Sequence, residues 1–213
     1  MTQTNTANSS AVKVALIDYG IGNLRSVEKA LQAVGAQAAL TDDPETILGA
    51  DKVVLPGVGA FGDGMAGLRQ RGLVEVIKQV AGRGTPLLGI CVGMQLLFEV
   101  GEELGEHAGL GLLPGRVKRF PESDLKIPQT GWNQLLIQGR PQLLEGLAPG
   151  SYAYFNHSFY CQAERQADVL ANTEYGLLYA SVVGRGRLYG AQFHPEKSQA
   201  VGLQILRNFV ERG

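Results

Sequence analysis

Apolar runs alternate with amphipathic stretches through the first half of the chain. Short apolar runs predict strands at residues 12–20, 37–41, 51–59 and 85–90. Apolar residues that recur every three or four positions predict helices at residues 22–35, 72–84 and 92–104. Strands that are apolar throughout and separated by helices are typical of a parallel sheet that is covered on both faces.

The second half of the chain changes to short strands separated by turn residues. These strands are predicted at residues 116–120, 131–138, 152–161, 168–176, 178–184 and 186–194. We interpret them as an antiparallel extension of the sheet. A closing helix over 198–213 is expected to turn Leu203, Leu206 and Phe209 towards the core. The predicted fold class is therefore α/β, with a mostly parallel central sheet flanked by helices and an antiparallel extension.

Composition narrows the possible partners and locations. The chain has 213 residues, 45% of them hydrophobic, which suits a single globular domain that we assign to residues 12–213. The polar segment 1–11 is predicted to be a disordered tail. A net charge of −1 indicates no nucleic-acid or membrane partner, and no apolar run reaches the roughly 20 residues of a membrane span. Two cysteines are too few for a disulfide framework, so we expect a reduced, cytoplasmic protein.

Cys91 stands at the predicted joint between a strand and a helix, in the sequence LLGICVGMQLLFE. Gly89 and Gly93 flank it at a distance of two residues each. This is the cysteine counterpart of a nucleophile elbow, in which a sharp, strained turn lifts a side chain above the sheet and leaves no room for neighbouring side chains. The alternative is a buried structural cysteine, which is common for this residue type.

A thiol nucleophile needs a base, and the chain has three histidines. His107 lies in a polar glycine-rich loop, and His157 lies within an apolar strand. His194 is the strongest candidate because it ends an apolar strand, Pro195 stiffens the backbone beside it, and Glu196 follows two residues on. In this interpretation His194 takes the thiol proton and Glu196 orients the imidazole. A strand-end histidine beside a surface glutamate is the alternative.

The motifs GICVGMQ around Cys91 and FHPE at His194 resemble those of the class I glutamine amidotransferases, whose fold has a flavodoxin-like core. Within that class, the chain is most similar to the branch of glutaminase subunits that serve imidazole glycerol phosphate synthases. The stretches that select this branch are DYGIGNLRSV (18–27), LPGVGAFGDGM (55–65), PQTGWN (128–133), YFNHSF (154–159) and QFHPEKSQ (192–199). Gln129 departs from the histidine that is frequent there, at a position outside the expected triad.

The resemblance implies hydrolysis of glutamine to glutamate and ammonia without a metal or other cofactor. Cys91 is the expected nucleophile, with His194 and Glu196 completing the triad. The expected oxyanion hole comprises Val58, Gly59 and Val92. The expected substrate-binding residues are Gly57, Gln95, Glu103, His157 and Ser158. For Gln95 and Glu103, ordinary solvated helix positions are the alternative.

The resemblance also implies a partner, a (β/α)₈-barrel cyclase subunit that forms a heterodimer with this chain and receives the ammonia. The candidate interface residues are Asn23, Trp132, Tyr154 and Lys197. Trp132 could equally be a core aromatic residue, and His157 could belong to the interface, the substrate wall or a strand core. Three alternative functions stay open. They are a glutaminase subunit for anthranilate or aminodeoxychorismate synthesis, a stand-alone γ-glutamyl thiol hydrolase, and a non-enzymatic regulatory subunit.

Overall fold

A computed structural model describes residues 11–213, so residues 1–10, most of the predicted disordered tail, lie outside the description. The helices are α1 (Leu24–Ala33), α2 (Pro44–Leu48), α3 (Phe61–Gln70), α4 (Leu73–Gly82), α5 (Val92–Leu96) and α6 (Gln199–Arg212). The strands of the first half are β1 (Lys13–Ile17), β2 (Gln37–Thr41), β3 (Lys52–Leu55), β4 (Leu87–Ile90), β5 (Phe98–Gly101) and β6 (His107–Ala108). Those of the second half are β7 (Leu113–Arg119), β8 (Gln129–Gln134), β9 (Leu136–Ile137), β10 (Tyr152–His157), β11 (Phe159–Ala163), β12 (Val169–Glu174), β13 (Leu178–Arg185) and β14 (Leu188–Ala191).

The central sheet is parallel, as the continuous apolar runs predict. Its strands lie in the order β2-β1-β3-β4-β14, and every neighbouring pair among them is parallel. All residues of β3, β4 and β14 are buried, which explains why these strands contain no polar residue other than Lys52 at the start of β3. Around the sheet, α1 packs against α6, and α2 and α3 pack against α4. The predicted α/β class is confirmed.

The sheet continues beyond β14 through the mostly antiparallel strands β13, β11 and β7. Two details of the expected extension are wrong. The strand β14 is parallel to β4 and thus belongs to the parallel part of the sheet. Strands β8 and β10 leave the sheet altogether and form a separate antiparallel pair. Because both strands alternate buried and exposed residues, they can cover the core with one face and present the other outward.

The helix predicted over residues 92–104 is wrong in extent. Helix α5 ends at Leu96, and the chain then forms β5, which pairs with β6 and β7. Met94, Leu96, Leu97 and Phe98 are all fully buried, so the segment has no polar face that would reveal its period. An apolar run that is buried on all sides cannot be assigned to helix or strand from its pattern.

Two helices are absent from the sequence-based prediction. Helix α2 begins at an ordinary cap, since the Asp43 carboxylate accepts a hydrogen bond of 2.8 Å from the backbone N–H of Thr46. Helix α3 contains three glycines, which obscure a helical pattern. One of them, Gly67, lies so close to β1 that an added Cβ would be 2.9 Å from the carbonyl oxygen of Tyr19. A glycine is therefore present at this position because the helix packs closely, although glycine disfavours a helix.

The closing helix α6 is confirmed, with Leu206 and Phe209 fully buried and Leu203 partly buried against the core. None of the helices within residues 11–213 has both the length and the apolar character needed to cross a membrane. The neighbouring strands β3, β4 and β14 run in the same direction, so their carboxyl ends meet at one edge of the sheet. Ligands of open α/β sheets bind at this edge, and the segments 56–59, 91–96 and 192–197 begin there.

Candidate active site

Cys91 lies at the sharp turn between β4 and α5. Its backbone has φ 55° and ψ −115°, a conformation that is uncommon and costly for a residue with a side chain. The turn is held by the parallel pairing of β4 with β14, because the Cys91 N–H donates to the carbonyl of Ala191 at 2.8 Å. The thiol therefore stands at a fixed position above the edge of the sheet.

The two glycines that flank Cys91 are required by close backbone contacts. An added Cβ at Gly93 would lie 1.9 Å from the carbonyl oxygen of Leu55, and one at Gly89 would lie 2.6 Å from the carbonyl oxygen of Gly93. Gly57, in the turn after β3, has the same constraint, since its Cβ would lie 2.7 Å from both the Gly93 nitrogen and the Tyr19 hydroxyl. The turn at 56–59 thus packs directly on the elbow.

His194 and Glu196 form a buried pair beside the thiol. His194 Nδ1 lies 2.9 Å from Glu196 Oε1, and the two side chains are almost completely inaccessible to solvent. The short 3₁₀ helix Pro195–Lys197 brings the carboxylate back to the imidazole. Asn23 Nδ2 also donates to Glu196 Oε1 at 3.3 Å. Asn23, which we expected at the partner interface, therefore contacts this carboxylate directly.

The surroundings of His194 favour its charged form. Burial alone would lower the pKa of His194, but hydrogen bonds to Cys91 and Glu196, together with the negative charges of these groups, raise it to about 9. At neutral pH the imidazole is thus protonated and lies between a sulfur and a carboxylate. This arrangement favours a thiolate–imidazolium pair.

Two buried glutamines, Gln95 and Gln192, link the Cys91 turn to β11 through hydrogen bonds. Gln95 Nε2 donates to the carbonyl of Phe159 and to Gln192 Oε1, both at 3.1 Å, and Gln192 Nε2 lies 4.0 Å from Cys91 Sγ. Gln192 is not among the site residues expected from the sequence. The signal that could have revealed it is its position two residues before His194, because residues i and i+2 of an extended segment lie on the same face.

Glu103 and His157 have structural partners as well as access to the site. Glu103 Oε2 accepts a hydrogen bond of 2.8 Å from the Phe61 N–H, at the start of α3. His157 is 6% exposed, and its Nδ1 lies 2.7 Å from the carbonyl oxygen of Phe159. Burial is the main reason why the pKa of His157 falls to about 4, although the bond to Phe159 opposes it. His157 is therefore neutral at physiological pH.

A cavity of about 260 Å³ opens above the thiol and brings most of the expected residues together. Its walls include these sequence-predicted residues: Val58, Gly59, Cys91, Val92, Gln95, Glu103, His157, Ser158, His194 and Lys197. Its remaining walls are formed by Pro128, Asn156 and Phe159. Gly57 lies beneath the elbow and Glu196 behind His194, so neither lines the cavity. The cavity has the size and polarity that suit a small polar metabolite.

Trp132, Tyr154 and Lys197 form a cluster at the side of the cavity. Trp132 on β8 and Tyr154 on β10 are paired residues of the two strands, and their ring centroids lie 6.0 Å apart. Lys197 Nζ lies 5.8 Å from the Tyr154 ring centroid. Trp132 is 46% exposed, so the alternative of a core aromatic residue is wrong. We name this set, Trp132, Tyr154 and Lys197, the aromatic rim.

Within residues 11–213, no group of three or more histidine, cysteine, aspartate or glutamate side chains is placed to hold a metal ion. The groups that face the cavity are instead a thiol with a protonated imidazole beside it, amides, a carboxylate and backbone N–H groups. As the first residue of α5, Val92 has an N–H without an intrahelical acceptor. This set is suited to acyl transfer through a thioester.

Comparison with known proteins identifies relatives of the whole chain. The family of class-I glutamine amidotransferases matches residues 15–212. The imidazole glycerol phosphate synthase subunit HisH of Moorella thermoacetica is 52% identical over 198 residues, which are 93% of this chain and 94% of that protein. The protein of the same name from Geobacter metallireducens is 51% identical over 92% of this chain and 97% of its own.

Solved structures show the same fold at much lower identity. The crystal structure of a glutamine amidotransferase superposes with a TM-score of 0.73 at 22% identity, covering 93% of this chain and 97% of its own. The structure of PurLQS from Thermotoga maritima gives a TM-score of 0.73 at 18% identity and covers 94% of this chain and 98% of its own. Together with the match over residues 15–212, these comparisons show that the chain belongs to the class-I glutamine amidotransferase family.

Proposed function

We propose that this chain is the glutaminase subunit of an imidazole glycerol phosphate synthase and that Cys91, His194 and Glu196 are its catalytic triad. The observation that carries the proposal is the buried imidazole of His194, placed between the elbow cysteine and a carboxylate at 2.9 Å. Relatives about 50% identical over more than 90% of the chain, all named as this synthase subunit, support this branch of the family. We assign the activity to a single domain, residues 12–213.

The first half of the reaction cleaves the side-chain amide of glutamine. The Cys91 thiolate attacks the amide carbon, a carbon–sulfur bond forms, and the carbonyl electron pair moves onto oxygen. His194 then gives its proton to the amide nitrogen as the carbon–nitrogen bond breaks, and ammonia leaves. A γ-glutamyl thioester remains on Cys91. Because the pKa of His194 is raised to about 9, the proton is available throughout the neutral range.

The second half releases glutamate. Water attacks the thioester carbon and gives a proton to His194, after which the carbon–sulfur bond breaks and the electron pair returns to sulfur. Glu196 stabilises the imidazolium in both halves and holds the ring in one orientation through Nδ1. Asn23 donates to the same carboxylate oxygen and so limits its rotation. The enzyme is returned to the thiolate–imidazolium state in which it began.

The oxyanion of each tetrahedral intermediate needs N–H donors that are already in place. We assign this role to the backbone N–H of Val92 and to the turn at Val58 and Gly59, all of which line the cavity. Gly59 has φ +81°, so the turn uses a conformation that a side chain would disfavour. Gly57 contributes by allowing the turn to approach the elbow.

The amino-acid end of glutamine requires partners for an ammonium and a carboxylate. Both N–H groups of Gln95 are bonded within the protein, so its Oε1 is the atom left to accept from a substrate ammonium. The Glu103 carboxylate also lines the cavity. The backbone at His157 and Ser158 contributes further lining. These substrate contacts belong to the proposal together with the triad.

We propose that the ammonia passes to a (β/α)₈-barrel cyclase subunit that binds over the aromatic rim as a cytoplasmic heterodimer. An exposed tryptophan beside a tyrosine and a lysine has the composition of an interface anchor. The rim lies next to the cavity, since Lys197 belongs to both. Asn23 is close to the aromatic rim, because it bonds to Glu196, the residue before Lys197. A partner bound here would cover the exit of the cavity and exclude water from the ammonia.

The test is Cys91→Ala, assayed in the complete synthase with glutamine and, separately, with ammonium. We expect loss of the glutamine reaction and survival of the ammonium reaction, because the cyclase site is intact. Cys161→Ala is the matched control, since Cys161 is the other free and buried cysteine and lies outside the cavity. Persistent glutamine use by Cys91→Ala would show that the nucleophile is assigned wrongly. Full-rate glutaminase activity without a cyclase would favour a stand-alone hydrolase.

A further inference from the structure

The side-chain amide of Gln192 faces the nucleophile, and the triad and substrate contacts described above give it no role. It follows directly after β14, is completely buried, and its backbone N–H donates to the Ser181 carbonyl at 2.9 Å. The parallel register pairs Ala191 with Ile90, which places the next residues, Gln192 and Cys91, side by side. Its Nε2 lies 4.0 Å from Cys91 Sγ.

The orientation of the Gln192 amide is determined by a chain of hydrogen bonds that begins at a backbone carbonyl. The Phe159 carbonyl can only accept, so the side-chain atom of Gln95 that meets it must be the nitrogen. The same nitrogen then meets Gln192 at 3.1 Å, which requires the Gln192 oxygen at that contact. The other end of the Gln192 amide, its NH₂ group, is consequently turned towards the sulfur.

We infer that Gln192 is an additional active-site residue that donates an N–H to Cys91 and favours the thiolate over the thiol. The inference deepens the proposed function and rests on Cys91 as the nucleophile. A donor that faces an ionisable group stabilises its charged form, because the hydrogen bond is stronger to the anion. The same contact, through Gln95, leaves Gln95 Oε1 oriented towards the substrate.

Among the other groups of residues 11–213 near the Cys91 sulfur, only His194 carries a charge that stabilises a thiolate. His194 approaches from the end of β14 and is the cation of the pair. Tyr19, at the end of β1, and Cys161, on β11, are electrostatically coupled to Cys91, and burial raises the pKa of both, so they stay neutral. Neither supplies charge that would stabilise a thiolate. Gln192 is thus the neutral donor that complements His194.

The test measures how the rate of Cys91 alkylation by iodoacetamide depends on pH, in the full chain with Cys161→Ala as background. Gln192→Glu keeps an acceptor for Gln95 but replaces the donor that faces the sulfur, and Gln192→Leu removes both groups. We expect the midpoint of the pH profile to rise by roughly 0.5–1 pH unit in Gln192→Leu and by more in Gln192→Glu, because the added carboxylate repels the thiolate. Thermal unfolding establishes that each variant is folded.

Gln129→Leu is the matched control, because Gln129 also carries a buried side-chain amide, is 3% exposed, and bonds to the Tyr179 hydroxyl and not to the sulfur. Its profile should coincide with that of the background chain. If Gln192→Leu is folded and its midpoint equals that of the control, the inference is wrong, even if Gln192→Glu does not fold. Alkylation needs neither glutamine nor a partner. Its outcome is therefore independent of the glutamine-dependent assay that tests the proposed function.

Discussion

Two buried histidines face the same cavity, and they have opposite protonation states. His194 and His157 are 4% and 6% exposed, so both imidazoles have little contact with solvent. The pKa of His194 is raised to about 9, whereas that of His157 is lowered to about 4. Burial lowers the pKa of both histidines, but only His194 has neighbouring groups that raise its pKa above the ordinary value, and the charge of His194 lowers the pKa of His157 further. His194 bonds to the Glu196 carboxylate and interacts with the Cys91 thiol, whereas His157 bonds to a carbonyl and lies 3.3 Å from a phenol.

The two environments have opposite consequences for stability. Compared with an unfolded histidine of pKa 6.5, His194 binds its proton more tightly in the folded state, so its contribution is present below pH 6.5 and is lost between 6.5 and about 9. His157 binds its proton less tightly when folded, so acidification from 6.5 towards 4 destabilises the protein. His194 is thus suited to proton transfer, and the neutral His157 is suited to a structural role in the lining of the cavity.

Glu196→Gln should make His194 resemble His157, because the substitution removes the charge that raises the pKa of His194. The amide keeps an oxygen for Nδ1 but removes the negative charge, so the pKa of His194 falls from about 9 and less imidazolium is present at neutral pH. We expect glutamine-dependent activity to fall by up to about 10⁴-fold, the size of the loss when the orienting carboxylate of a triad becomes an amide. The high-pH limb of the kcat/KM profile should move to lower pH.

The matched control for this prediction is Glu164→Gln, which makes the same chemical change at an exposed position. Its pH profile should coincide with that of the unmodified enzyme. The ammonium-dependent reaction of the synthase should be retained in both variants. An unchanged high-pH limb in Glu196→Gln would mean that the carboxylate does not separate the two histidines.

Much of the fold could be predicted because its strands have a regular environment. β1, β3 and β4 are buried nearly throughout, and α1 and α4 have one apolar face each, so their patterns are distinct. The prediction failed where the environment was irregular. The buried run that forms α5 continues into Phe98 at the start of β5, and α3 contains glycines that close packing requires. The separation of β8 and β10 from the main sheet depends on tertiary contacts that no local pattern encodes.

The candidate site shows the same division. Cys91, His194 and Glu196 could be located because an elbow and a stiffened turn have local signatures. Gln192 lies in the same FHPE-containing stretch but acts through Gln95 and Phe159, which are 97 and 33 residues away. Its role depends on the register of β4 with β14, which the sequence does not specify.

His157→Gln sharpens the comparison by removing the group whose pKa is lowered to about 4. Between pH 7 and pH 5, an unfolded histidine gains a proton that folded His157 resists, which destabilises the native chain by about 2 kcal/mol. We expect the variant to lose that part of the pH dependence, as measured by urea unfolding at the two pH values. His107→Gln, at a half-buried position on β6, shows how much any histidine replacement changes the result. Equal pH dependence in His157→Gln and the parent would contradict the low pKa.

Tyr179→Phe removes the phenol hydroxyl beside His157, and we expect it to have the smallest effect of these substitutions. The Tyr179 hydroxyl donates to Gln129 Oε1 at 2.9 Å and lies 3.3 Å from His157 Nε2. Its removal leaves Gln129 Oε1 as a buried acceptor without its donor, and within residues 11–213 Gln129 Nε2 is already a buried donor without a partner. We expect a loss of about 1–2 kcal/mol in the free energy of unfolding, measured with urea at pH 7.

Tyr175→Phe is the control for that measurement, because its hydroxyl bonds to the Lys126 carbonyl at 2.7 Å near the surface, where water can replace it. It should cost less than about 0.5 kcal/mol. The midpoint of Cys91 alkylation should not move in Tyr179→Phe, because His157 keeps its 2.7 Å bond to Phe159 and the Gln95–Gln192 chain begins at that same carbonyl. A shifted midpoint would mean that the neutral histidine does more than support the wall, and that the two imidazoles act as one coupled unit.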